Sequence, residues 1–500
     1  MLALTDHQGT MALHSFSPAT GLSSSLDRGM PPTTNDFGQP LRKLRFTGYA
    51  RDKKYLGTLI KNVIEVALNE GFKLNLTNLP CYIRDYLFHL PDGKIKMSSS
   101  SVNVKEALER GSSKNFYFSE VGSTRTRQLS FMGDCGKSLN RQSEIKKDYI
   151  ECCGITPGEF PFFLEGGNVY ILTNNQGVRK ILIGKNSLAH IHAQLRLDGA
   201  FKDLPEQEDL TDEQVIAGAE EMYAMKLLSL GPEKRTGFIP LDNMGEVYKA
   251  RMDVSSYREE AILKGHCHKF EMSKAVDIAK VKPLVAKFLA QKAAIPELLK
   301  KHFQGEVHFI PSVDYHLDTF MMPGPAGSIF LQDFEACKQM LMAIRQEREL
   351  TFEDRCRIDN YLTAAKVLEN DLGGLLAAAR TELEQAGFTV IPTPGNFLDF
   401  QTYAMRDTPV PHIRFLNAIS GRNERHPYLI TLGAKVGDHL GTYLMQAFEK
   451  FLKGYQSDLV VHFVGYNPEN SQDFSIAMAW AYAHAGIRCM SFEEEVSGSL

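Results

Sequence analysis

The sequence predicts an α/β fold, and three observations carry that expectation. A helix–Gly–strand junction recurs along the chain. Two strand pairs read as hairpins with polar or Gly/Pro turns. Strand-like, hairpin-like and helical stretches alternate in order, as in a protein that layers helices on sheets. The junction first appears after the strand-like Leu44-Arg45-Phe46-Thr47-Gly48-Tyr49. Apolar residues at Leu56, Leu59, Ile60, Val63, Ile64, Ala67 and Leu68 follow at helical spacing, Gly71 ends the helix, and Phe72 to Leu76 alternates like a strand. Copies stand at Ala386-Gly387-Phe388, at Ala485-Gly486-Ile487 and, more loosely, at Gln304-Gly305-Glu306. A glycine there can take the left-handed C-cap conformation that turns a helix straight into a strand. Such junctions occur in any α/β protein and also fit a true internal repeat.

The first hairpin runs from Asn168–Leu172 through Asn174-Asn175-Gln176-Gly177 to Lys180–Gly184. The second runs from His316–Met321 through Pro323–Gly327 to Ser328–Leu331. Residues 1–40 are rich in Ser, Thr, Gly and Pro and lack periodicity, so they are expected to form a mobile tail. Residues 41–500 then form one α/β domain. A polar, Glu- and Lys-rich stretch over 204–301 interrupts it as a helical insertion, and further helices are expected between Asp333 and Gln385. A lid, an oligomer contact and a dock for a protein substrate are the roles open to the insertion.

With 43% hydrophobic and 23% charged residues, the composition is that of a soluble globular protein. A formal charge of −4 and a pI near 6.4 do not point to nucleic acid or to a polybasic membrane anchor. No apolar run is long enough to cross a bilayer, and no basic-then-apolar leader opens the sequence. The eight cysteines show no C-x-x-C spacing, which suits free thiols in a reducing, cytoplasmic setting.

The candidate chemistry lies in four short motifs. Gly133-Asp134-Cys135-Gly136 follows a predicted strand over Gln128–Met132. Glu165-Gly166-Gly167-Asn168 carries two glycines where a bend or a close approach is needed. His316 and Asp318 are two residues apart, so a strand from Tyr315 to Phe320 would point both to one face. Cys489 follows the last helix–Gly–strand junction. Singly, each has a plain reading: a polar strand face, a turn, a loop, a small buried thiol. Together and in order, they supply a thiol, an imidazole and three carboxylates.

That order resembles the guanidine-modifying superfamily of arginine deiminases, agmatine deiminases, peptidyl-arginine deiminases and amidinotransferases. Tyr315-His316-Leu317-Asp318-Thr319 and Arg488-Cys489-Met490-Ser491 are most similar to bacterial arginine deiminases. Phe163-Leu164-Glu165-Gly166-Gly167-Asn168 resembles both arginine and agmatine deiminases, Asn168 being the agmatine-type residue. Met132-Gly133-Asp134 departs from the family's W-x-R-D pattern. The resemblance implies a five-bladed, pseudo-symmetric α/β propeller of ββαβ units. It also implies that a guanidino group is hydrolysed to a ureido product and ammonia, with no metal and no organic cofactor. Cys489 would be the nucleophile, His316 the acid/base and Glu165 its orienting carboxylate. Asp134 and Asp318 would grip the guanidinium, and Asn168 would join the substrate-binding set. Arg422, in Gly421-Arg422-Asn423, is a candidate for an α-carboxylate, with an ordinary exposed arginine as the other reading. The expected partner is a guanidino small molecule or an arginine-containing protein. An amidinotransferase with the same Cys–His core, and an inactive binding protein on the same fold, are the alternatives.

Overall fold

The computed structural model describes residues 36–47, 56–77, 95–97, 116–119, 126–129, 166–188, 278–303, 305–311, 316–395, 415–434, 438–465, 487–488 and 491–493, with residue 313 and short pieces between 191 and 221. The described strands form five sheets. Three of the sheets repeat one plan, in which an antiparallel strand pair is followed by a helical connection and a strand parallel to the second of the pair.

The plan is plainest in β6 (Val169–Thr173), β7 (Arg179–Gly184), α2 (Ile278–Phe303) and β8 (Glu306–Ile310). β6 pairs antiparallel with β7, matching the first predicted hairpin, and β7 pairs parallel with β8. The strands are almost continuously apolar because both faces are covered. Val169, Ile171, Ile181 and Ile183 face Phe288, Ile295, Leu299 and Phe303 of α2. The alternate residues Tyr170, Leu172 and Leu182 join a second cluster with Leu317, Phe320 and the helices that follow. The period-two alternation of a strand thus feeds two cores. α2 falls inside the 204–301 stretch expected as an insertion. It is the helix that leads into β8, and its apolar face is core, despite Pro283 and Pro296 within it.

The second unit contains β9 (Met321–Pro323), β10 (Ser328–Gln332), α3 (Phe334–Glu347), α4 (Phe352–Gln385) and β11 (Thr389–Thr393). β9 and β10 are antiparallel, β10 and β11 parallel. Asp333 caps α3 by accepting from the Ala336 N–H, and Thr351 with Asp354 forms a capping box on α4. The third unit contains β12 (Ile419–Arg422), β13 (Pro427–Leu432), α5 (His439–Lys453) and β14 (Val460–Val464), paired in the same sense. On α5, Leu440, Leu444, Met445, Phe448 and Leu452 are buried, the stripe that helical spacing produces. Arg357 of α4 donates bidentately, at 2.8 and 2.9 Å, to the α5 N-cap Asp438 and so ties the two units together.

Near the chain start, β1 (Lys43–Thr47), α1 (Leu56–Glu70) and β2 (Lys73–Thr77) make a parallel β–α–β crossover, extended by β3 (Ile95–Met97). The strand antiparallel to β1 comes from the far end of the sequence: β15 (Ser491–Glu493) pairs Leu44 with Glu493 and Phe46 with Ser491. The ββαβ plan is therefore completed here across nearly the whole sequence. Glu70, at the end of α1, sits 2.6 Å from His462 Nε2 of β14 and accepts from Asn423 Nδ2 at 2.5 Å, so α1 is fastened to the third unit. The remaining sheet pairs β4 (Phe116–Ser119) with β5 (Thr126–Leu129).

Two of the junction glycines have the expected backbone, Gly71 at φ 83° and Gly387 at φ 84°. Gly305 has no such angle, and Gly486 lies outside the described residues. The tail expected over 1–40 differs at its end. The Asp36 carboxylate accepts from Thr173 N and Oγ1 at 2.5 and 2.6 Å, and Phe37 packs on the core. Among the described residues, no helix is long and apolar enough to cross a membrane.

Candidate active site

The segments that bear the predicted chemistry occupy corresponding places in the units. Gly166–Asn168 is a 3-10 turn directly before β6, and Leu317–Thr319 is a 3-10 turn directly before β9. Asn417 stands just before β12, and Arg488 just before β15. Each precedes the first strand of its sheet's antiparallel pair, so a repeated plan gathers residues that the sequence scatters.

His316 and Asp318 are not on a strand, contrary to the sequence expectation. His316 is extended, at φ −129° and ψ 150°, and caps the turn that contains Asp318. Thr319 diverts the chain. Its Oγ1 donates to the His316 carbonyl at 2.6 Å, and its N–H reaches the same oxygen at 3.4 Å. A threonine that bonds back to the main chain favours a turn over a ladder. The two side chains still converge, with His316 Nδ1 3.9 Å from Asp318 Oδ1 and both residues buried.

The Gly166–Asn168 turn closes on this pair. A Cβ on Gly167 would stand 2.5 Å from His316 Nδ1 and 2.9 and 3.0 Å from the Asp318 carboxylate oxygens. The glycine is required by close approach, because a side chain would occupy the space of the imidazole and the carboxylate. Gly167→Ala is expected to displace the His316 ring and lower stability by about 1–3 kcal/mol. Because a misplacement of about 1 Å can cost roughly a hundredfold in rate, kcat should fall on that scale. Steady-state kinetics beside thermal melting would check both, and an unchanged kcat would contradict the packing.

Arg488 joins the pair from the other side. It is 3% exposed, and its Nη1 lies 3.0 Å from Asp318 Oδ2. Nη2 donates to the Val169 carbonyl at 3.2 Å, and the guanidinium lies 3.8 Å over the Tyr170 ring. Asn417, fully buried, completes the arrangement. Its Nδ2 donates to the Asp318 carbonyl at 2.9 Å, and its Oδ1 accepts from the Arg488 N–H at 2.8 Å.

The other predicted residues are distributed as follows. Asn168 is buried, with Nδ2 donating to Ser187 Oγ at 2.7 Å, which fastens the turn to the end of β7. Arg422 is exposed at the end of β12. Cys489, Glu165 and Asp134 lie outside the described residues, although Arg488 and Gly166 adjoin the first two. The roles of Arg488 and Tyr170 escaped the sequence reading. Among the described residues, no group of three His, Cys, Asp or Glu side chains is arranged to hold a metal ion.

No family model matches the chain, and no curated protein matches it. Solved structures do. The agmatine deiminase of C. jejuni matches at 12% identity with a TM-score of 0.43, over 93% of this chain and 96% of that one. A structure assigned as an agmatine deiminase matches at 11% identity and 0.41, over 93% and 99%. One from Porphyromonas gingivalis, assigned as an arginine deiminase, matches at 10% identity and 0.35, over 92% and 97%. Over most of its length this chain is similar to agmatine and arginine deiminase structures.

Proposed function

We propose that the protein is a hydrolase that deiminates a guanidino group, in a small molecule or in protein-bound arginine, through a covalent intermediate on Cys489. One observation carries the reading. Three motif segments far apart in sequence meet at a single point, where Gly167 abuts His316 and Asp318, and Arg488, the residue before Cys489 in sequence, binds Asp318. The five sheets are read as the five blades of an α/β propeller with this point at the site.

In this reaction the Cys489 thiolate forms a C–S bond to the guanidinium carbon. One C–N bond breaks, and the nitrogen departs as ammonia with a proton from His316. Water then adds to the thiouronium carbon and gives its proton to the same imidazole. Cleavage of the C–S bond returns the thiolate and releases the ureido product. A guanidinium is planar and permanently charged, so carboxylates match it and compensate its desolvation. Asp134 and Asp318 take that part, Asp318 through the oxygen that faces His316, and Glu165 orients the imidazole. Asn168 is carried by the family resemblance alone, and Arg422 by its place in a Gly-containing stretch at the end of a strand.

The test is incubation with arginine, agmatine and an arginine peptide, read for ammonia and for ureido product. Release of both without an added amine supports the proposal. Release that requires an amine acceptor indicates amidine transfer, and no turnover of any guanidine compound overturns the enzymatic reading.

A further inference from the structure

We infer that Asn417 is a positioning residue, which sets the segment carrying Cys489 against the turn carrying His316 and Asp318. The inference rests on the deiminase reading above. A carboxamide has a donor and an acceptor on one rigid plane. Here the donor goes to the main-chain oxygen of Asp318 and the acceptor to the main-chain N–H of Arg488. Both partners are backbone atoms, so the amide fixes chain positions and not merely rotamers. One partner lies two residues from His316 and the other one residue before Cys489.

Asn417 is itself held by its surroundings. It is fully buried, and the flanking Leu416 and Ala418 are in the core. Thr431 Oγ1 donates to the Phe415 carbonyl at 2.8 Å, which anchors the approach to β12 on β13. The third unit thereby acts as a frame that holds the Arg488 backbone against the turn of Asp318. Aspartate would keep the acceptor but lose the donor toward Asp318. Serine is too short to reach both partners together. A buried amide that only stabilised the core would affect melting and leave the rate of the chemical step alone.

The experiment compares full-length wild type with Asn417→Ser and Asn417→Asp. It reads melting temperature, hydrogen exchange at the Arg488 amide, and kcat and KM for whichever guanidine compound the wild type turns over. Exchange at Arg488 should rise at least tenfold in Asn417→Ser, with kcat down at least tenfold and KM changed less than threefold. Asn417→Asp, which keeps the acceptor, should hold Arg488 exchange near wild type yet still lose kcat. An unchanged kcat in both folded variants would overturn the inference, as would an effect confined to KM or Arg488 exchange in Asn417→Ser equal to wild type. If one variant fails to fold, the other decides. If the wild type turns over no guanidine compound, the deiminase reading fails by itself, and the Arg488 exchange arm still decides whether Asn417 ties the two segments.

Discussion

Cys489→Ala is expected to abolish guanidine turnover while leaving the fold intact. The guanidinium carbon is a poor electrophile, because three nitrogens share its charge. A thiolate is the strongest nucleophile that a protein side chain offers, and a neighbouring cation lowers its pKa from about 8.5. Alanine offers nothing in its place and is only slightly smaller. His316→Ala should follow closely, by about 10²–10⁴-fold, because departing ammonia needs a proton donor. In wild type, rapid acid quench during turnover should trap an added mass on the Cys489 peptide. Cys337 will not obscure that signal, since complete burial pushes its thiol pKa up to about 12. Full activity in Cys489→Ala would remove the nucleophile assignment.

The second large effect concerns stability. Arg488→Ala should destabilise the protein by about 3–5 kcal/mol, the usual consequence of leaving one member of a buried ion pair alone. Asp318 is 0% exposed, and its Oδ2 bonds the Arg488 guanidinium at 3.0 Å, so water cannot readily take the cation's place. The Val169 carbonyl would lose that donor as well. The pair Arg488→Met with Asp318→Leu removes both charges and should recover much of the loss without recovering activity. Equilibrium denaturation would read these differences. A single variant within about 1 kcal/mol of wild type would mean that the carboxylate is not committed to this partner.

Much of this architecture was legible in the sequence, because it is written locally. The left-handed Gly71 and Gly387, the first hairpin, the turn and second strand of the second hairpin, and the helix over 56–70 follow from periodicity and turn chemistry within short windows, whereas the first strand of the second hairpin is Met321–Pro323 and not His316–Met321. The turn at Leu317–Thr319 was less legible, since an H-x-D-T string reads equally as alternation. The deciding contact, from the Thr319 hydroxyl to the main chain, is visible only in three dimensions. Helix α2 was assigned to an insertion because the stretch over 204–301 that holds most of it is rich in Glu and Lys. Its buried residues Phe288, Ile295 and Leu299 gain meaning only from the sheet that receives them. Arg488 and Asn417 carried no signal as residue types, since any arginine or asparagine is most often at the surface. Only the repetition of one plan brings the start of each unit to a common point.

The pairing of β15 with β1 has a consequence in time. Three of the sheets assemble from strands that neighbour one another along the chain or are joined by helical connections within one unit. The fourth must join Leu44 to Glu493, and Phe46 to Ser491, across almost the entire sequence. Loop-closure entropy has to be met before so distant a contact stabilises anything, and long-range pairing of this kind slows folding. Cys489, the nucleophile of the proposed reaction, lies two residues before β15 in sequence, so on that proposal the site is complete only when this last junction forms. On dilution from denaturant, helical circular dichroism should therefore return in an earlier phase, with catalytic activity lagging behind it. The refolding chain would pass through an interval as an assembled but inert scaffold, with the segment that carries the proposed nucleophile among the last to be placed.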